Sequence, residues 1–163
     1  MNGTSIIILN YNTCEYIKMC IESIRCYTQD EPYEIIVVDN GSNDGSVLWL
    51  KMQQDVRCIF NEINEGFPKG CNQGLEVASG SELLLLNSDT IVTPRWLKNM
   101  KLALLSRPEV GAVGCVTNFC SNLQEINAPY KGLDKLFTFA EEFNHSNPLQ
   151  WERRLRLVGF CYL

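Results

Sequence analysis

Four consecutive leucines, Leu83-Leu84-Leu85-Leu86, run straight into Asn87-Ser88-Asp89-Thr90. A short apolar run bounded by polar turn residues reads as a buried strand. In an open α/β sheet, ligands bind beyond the carboxyl ends of the strands. Asp89 therefore sits where a metal or a charged substrate would be met. Asn87 and Asp89, two positions apart in an extended chain, would point the same way. Taken alone, the motif fits a helix N-cap or a turn aspartate better. A second acidic strand end tips the balance.

Strand and helix patterns alternate through most of the chain. Ser5-Ile6-Ile7-Ile8-Leu9 is a first strand, and Asn12 with Glu15 resembles a capping box. Ile17, Cys20, Ile21 and Ile24 then mark one apolar helix face. Glu34-Ile35-Ile36-Val37-Val38 is a second strand, followed by turn residues and a helix over residues 46–54. Val56-Arg57-Cys58-Ile59-Phe60 is a third. Pro68 suits the first turn of a helix in which Cys71, Leu75 and Ala78 share a face, with Gly80 as its cap. Residues 82–86 form a fourth strand. Thr93-Pro94 opens a helix with Leu97, Met100 and Leu104 inward, ending before Pro108. Residues 110–116 read as a fifth strand. This rhythm predicts a single α/β domain, a mostly parallel central sheet with helices on both faces.

Beyond that the pattern weakens. Asn118, Asn122, Asn127, Pro129, Gly132, Asn144, Asn147 and Pro148 interrupt it. Residues 117–152 are expected to form a long, mobile functional loop with a short helix over 133–143. The final run, Leu155 to Leu163, reads as a strand at a poorly covered place. Because the chain stops inside it, a continuation past residue 163 is expected.

Net charge is −5, which argues against a nucleic-acid binder, since neutralising phosphate needs a basic face. Arg153, Arg154 and Arg156 form a local basic cluster, ordinarily a solvated face, that could meet a membrane surface. The chain has eight cysteines but one histidine, and it lacks Cys-x-x-Cys. Zinc is therefore disfavoured. Buried, reduced thiols fit better, with a cytoplasmic setting. Met1-Asn2-Gly3-Thr4 shows no signal-peptide character, and no stretch approaches the ~20 apolar residues of a membrane span.

The second acidic strand end is Val37-Val38-Asp39-Asn40-Gly41-Ser42. Asp39 could accept hydrogen bonds from a ribose or a base, or could simply bond its own turn. A nicotinamide-type fingerprint after the first strand is absent, and Gly66-Phe67-Pro68-Lys69-Gly70 fails P-loop spacing. A diphosphate could instead be met by a metal held on Asp89. Tyr11 could pack against a base, though such a tyrosine is more often core.

Four ordered blocks carry a resemblance. They are Ser5 to Asn12, Val37 to Ser46, Asn64-Glu65-Gly66-Phe67-Pro68-Lys69-Gly70-Cys71-Asn72-Gln73-Gly74, and Leu84 to Thr90. Together they resemble the successive blocks of family 2 glycosyltransferases. Val158-Gly159-Phe160-Cys161-Tyr162-Leu163 resembles a later block near the acceptor site. The resemblance implies a GT-A fold, with residues 1–116 as the nucleotide-sugar-binding half and 117–163 as the start of a truncated acceptor-side half. It implies an inverting enzyme using a UDP- or dTDP-sugar and a glycan or lipid-linked acceptor, at the inner face of the membrane. It places Tyr11 against the nucleobase and Asp39 in hydrogen bonds to it. Gly66 and Asn72 would line the donor pocket. Asn87-Ser88-Asp89 matches the Asp-x-Asp motif, with Asp89 bridging Mg²⁺ or Mn²⁺ to the diphosphate and Asn87 a weaker partner. The family's catalytic base would lie beyond residue 163. Glu141, Glu142 and Glu152 have no spacing that suggests that role. A catalytically silent nucleotide-sugar-binding module is the alternative. A nucleotidyltransferase would want a glycine- and basic-rich loop after the first strand, which is missing.

Overall fold

The computed structural model describes residues 3–120 and 124–163. Met1 and Asn2 of the N-terminal reading, and Asn122 with its two neighbours in the long loop, lie outside the described residues. The strands are β1 (Thr4–Asn10), β2 (Tyr33–Asp39), β3 (Val56–Phe60), β4 (Glu82–Asn87) and β5 (Cys161–Tyr162). The helices are α1 (Cys14–Tyr27), α2 (Ser46–Leu50), α3 (Phe67–Val77), α4 (Trp96–Leu104) and α5 (Leu133–Phe143). The sheet order is β3-β2-β1-β4-β5. The first four strands are parallel, and β5 runs antiparallel to β4.

Side-chain alternation along the strands sorts the core into two layers. Ile6, Ile8, Ile35, Val37, Leu84 and Leu86 meet the apolar faces of α1, α2 and α4. Ile7, Ile36 and Leu85 meet Cys71 and Leu75 of α3. Handedness explains the split. Right-handed crossovers through α1 and α2 build the sheet outward from β1 to β3. Returning to the other side of β1 requires a crossover on the opposite face, which α3 supplies. The topology therefore switches between β1 and β4.

The helix α3 sits unusually close to the sheet because two of its inward positions carry no side chain. A Cβ on Gly70 would stand 2.3 Å from Leu9 Cδ1, and one on Gly74 would stand 2.4 Å from Ile7 Cγ2. The glycines interrupt the apolar pattern in sequence and deepen the packing in space.

Several expectations need correction. Residues 110–116 are not a parallel strand: Val113 and Leu163 exchange both backbone hydrogen bonds, and Gly114 bridges Tyr162 in antiparallel sense. The chain returns from α4 alongside β5, so β5 has a neighbour on each side. Cys161 and Leu163 are buried, and the poorly covered final strand is not found. Strand character there is confined to β5, with Leu155 fully exposed. Leu83 is also exposed, at the start of β4. The first helix begins at Cys14 with Thr13 as its N-cap, while Asn12 takes φ of 53°. The helix after the second strand ends at Leu50, not Gln54, and α3 is capped by Ala78, not Gly80. The predicted helix over 133–143 is α5. All eight cysteines are free thiols, but only Cys20, Cys71 and Cys161 are buried; Cys14, Cys58, Cys115 and Cys120 are half-buried and Cys26 is exposed.

Gly74→Val should lower stability by about 2–3 kcal/mol, because the stiff Ile7 side chain cannot clear space for it. Urea denaturation of the two proteins measures the difference, and an unchanged midpoint would contradict the close seating of α3.

Candidate functional site

Ligand crevices in open α/β sheets form at the topological switch, outside the carboxyl ends of the strands. Here that point lies beyond Asn10 of β1 and Asn87 of β4. The register sets Asn10 beside Asp39 and Leu9 beside Asn87. The strand ends are joined by a polar network. The Asn10 amide donates to Asp39 Oδ2 at 2.7 Å and to Ser42 Oγ at 3.2 Å. Thr13 Oγ1 donates to Asn10 Oδ1 at 2.6 Å and lies 2.9 Å from Ser88 Oγ. Ser42 N–H donates to Asp39 Oδ1 at 2.9 Å. No buried side-chain nitrogen or oxygen among the described residues lacks a partner. A network closed in this way holds its members in one geometry.

The loop after β2 is fastened to the start of α1. Asp44 Oδ2 accepts from Cys14 N–H at 2.7 Å, while Oδ1 accepts from the Ser46 N–H and hydroxyl at 3.1 and 2.6 Å. One carboxylate thus caps two helices whose own N-cap residues make no side-chain cap bond. Partial desolvation works to raise its pKa, but the bonds from Ser46 and Cys14 outweigh this and hold the carboxyl below its usual value. On the other side, Asn40 accepts from the Asn61 amide and Glu65 N–H and donates to Asn64. Asn61 pairs reciprocally with Gln73 of α3. These amides fix the approach to Gly66, whose φ of 83° disfavours any side chain.

The sequence-predicted residues divide into two groups. Tyr11 is 47% exposed beyond β1, so the core reading of that tyrosine fails. Asp39 is fully buried, with each carboxylate oxygen already accepting one bond, so the turn role weighed for it is present. Ser88 is buried against Thr13, and Gly66 is the N-cap of α3. Asn72 is exposed on α3, while its neighbour Gln73 makes the inward bond. Asp89 is exposed at the tip of a turn in which Thr90 N–H bonds Asn87 O at 3.2 Å. Asn87 and Asp89 are therefore related by a turn and not by extended chain. Asn10 and Thr13 went unassigned in sequence; polar residues immediately after a buried strand are the signal that could have found them.

A cavity of about 790 Å³ opens at Asp89, lined by that residue with Asn87, Thr90, Met100, Cys115 and Trp151 among others. Tyr11, Asp39, Gly66 and Asn72 do not line it, and neither do Glu141, Glu142 or Glu152. Glu141 instead pairs with Arg95 at 3.2 Å, and Glu152 with Arg154. Arg153 meets Glu109 at 3.3 Å, so the basic cluster is partly neutralised. Among the described residues, no three His, Cys, Asp or Glu side chains cluster to hold a metal.

Residues 5–161 match the model of the family described as glycosyl transferase family 2. The chain belongs to that family. Among curated relatives of the family 2 domain, glycosyltransferase GlyG of Streptococcus pneumoniae is 34% identical over 100 residues, 59% of this chain and 33% of the relative. Glycosyltransferase AglE of Haloferax volcanii is 30% identical over 99 residues, 58% and 33% of the two chains. The domain thus spans about a third of the length of such relatives. Among solved structures, the mannosyltransferase PcManGT from Pyrobaculum calidifontis, in complex with GDP-Man and Mn²⁺, aligns with TM-score 0.62 and 26% identity over 71% of this chain and 36% of that one. TarS 1-349 of S. aureus, in complex with UDP, aligns with TM-score 0.56 and 28% identity over 64% and 32%. The family 2 domain has the GT-A-type α/β fold.

The depressed pKa of Asp44 has a signed consequence. Its stabilising contribution is fully present above the unfolded carboxylate pKa, about 3.9, and is lost as pH falls through the lower folded value. Asp44→Asn should therefore flatten the loss of stability between about pH 5 and pH 2. Urea midpoints across that range compare the two proteins, and parallel profiles would remove Asp44 from the capping role.

Proposed function

We propose that this domain binds the nucleoside diphosphate part of a nucleotide-sugar, UDP- or dTDP-activated, at the β1–β4 switch, within an inverting glycosyltransferase. The observation that carries the reading is one exposed carboxylate, Asp89, on the turn after β4, next to the strand β1 whose end leads to a half-exposed Tyr11, above a satisfied polar floor. In support, the solved relatives named above carry GDP-Man with Mn²⁺ or UDP.

In this reading the Tyr11 ring offers its face to the base. Asp39 uses its remaining lone pairs to accept from the base, which requires the loop at residues 40–44 to admit it. Gly66 and Asn72 border the donor. Asn87 lies beside the diphosphate, and Ser88, tied to Thr13, holds the turn that presents Asp89. The residues fit a hard divalent cation, Mg²⁺ or Mn²⁺: Asp89 would hold it through a carboxylate oxygen, the ligand type such ions prefer. Such an ion would stabilise the charge of the departing diphosphate. The acceptor hydroxyl, on a glycan or lipid-linked glycan, attacks the anomeric carbon from the opposite face and gives its proton to a carboxylate base. Free thiols suit a cytoplasmic site of action at the inner membrane face. No described helix is long and apolar enough to cross a membrane.

Calorimetry with UDP and dTDP, with and without Mn²⁺, tests the reading. Asp89→Asn should weaken metal-dependent binding by roughly tenfold or more. Asp39→Ala should weaken nucleotide binding in both conditions. Equal affinity after chelation would take the cation away from Asp89, and no binding of any nucleotide would sink the proposal.

A further inference from the structure

Four sulfur-bearing side chains meet where α1 and α4 pack against the β4–β5 edge: Cys20, Met100, Cys115 and Cys161. The Cys115 and Cys161 sulfurs are 3.1 Å apart, and Met100 Sδ lies 3.3 Å from the first and 3.8 Å from the second. The backbone explains the meeting. Val113 and Leu163 exchange both hydrogen bonds, Gly114 bridges Tyr162, and Cys115 N–H donates to Cys161 O at 3.4 Å. Cys115 and Cys161 are therefore direct cross-strand neighbours at a hydrogen-bonded position. The Cα separation there is about 5.5 Å, inside the range of about 4.4–6.8 Å that a disulfide spans.

We propose that Cys115 and Cys161 form a reversible thiol–disulfide pair, oxidised by hydroperoxides and reduced by dithiols. Both residues line the cavity, so a small oxidant has a route to them. Cys115 is half-buried and Cys161 only 1% exposed, which makes Cys115 the first sulfur reached. Its thiolate attacks the peroxide O–O bond, giving a sulfenic acid and releasing water or an alcohol. The Cys161 sulfur then displaces hydroxide from that sulfur, and its own proton completes a second water. Two thiols and one hydroperoxide thus become one disulfide, one water and one further molecule of water or alcohol, with two electrons passing from sulfur to oxygen. The hydrogen bond to Cys115, together with burial, keeps the Cys161 thiol protonated well above its usual pKa, as suits the second thiol to react and not the first. Cys20 stays outside the pair, its sulfur turned to Asn87 O at 3.7 Å and its pKa pushed up by burial to about 12.

The bond would close a loop between residues 46 positions apart, the segment that carries α5 and much of the cavity wall. The full chain is treated with hydrogen peroxide, denatured, alkylated and mapped by mass spectrometry. The expected product is a peptide joining Cys115 to Cys161, reversed by dithiothreitol. Thermal midpoint should rise by roughly 5–10 °C on oxidation. Cys115→Ser, at the half-buried member, should abolish both the cross-link and the shift. Three results would overturn the proposal: alkylation of both residues after peroxide, a link from Cys161 to Cys20 instead, or a Cys115–Cys161 link formed only in urea.

Discussion

The hydrogen bond from the Asn10 amide to Asp39 is the point on which the site depends. Asn10 and Asp39 are fully buried at the ends of adjacent parallel strands, where the ladder stops and backbone pairing no longer holds the chains together. A buried carboxylate without partners would be costly. Satisfied by Asn10 on one oxygen and Ser42 on the other, it becomes the fixed post of the loop after β2. Thr13 extends the same connection to Ser88, so the ends of β1, β2 and β4 share one set of hydrogen bonds. The exposed groups, Tyr11 and Asp89, project from a floor that cannot shift piecemeal.

The wider fold follows from handedness and from the absence of two side chains. Right-handed crossovers send α1 and α2 to one face and α3 to the other, which leaves the crevice between β1 and β4. Gly70 and Gly74 let α3 settle close to Leu9 and Ile7, bringing Gly66 and its amide network to the rim.

Most of the sheet was legible in the sequence because buried parallel strands are written as unbroken apolar runs, as in Ile6 to Leu9 and Ile35 to Val38. The α5 helix was legible too, from its own apolar spacing. The misreadings have a shared cause. Residues 110–116 have strand-like composition, yet their pairing depends on Leu163, a partner far along the chain. A local capping box at Asn12 and Glu15 points to a start of α1 at Asn12, whereas the cap comes from Asp44 in another loop. In the site, residue types at strand ends pointed to Asp39 and Asp89. The burial of Asp39 and the exposure of Asn72 and Tyr11 are tertiary facts with no local signature. Membership of family 2 was legible from four blocks in order, since each block sits at a strand end or a crossover start where chemistry and topology constrain the chain together.

Asp89 stands on a boundary. Its neighbour Ser88 belongs to the hydrogen-bonded floor at the strand ends; Asp89 itself lines a cavity walled by α4, α5 and residues near 115 and 151. Asn10, Thr13, Asp39, Ser42 and Ser88 take no part in that wall. Substitutions in the wall can therefore reshape one compartment while the other keeps its geometry. Descendants of such a chain can diversify what enters the cavity without renegotiating what the floor holds, and only the turn at Asp89 answers to both.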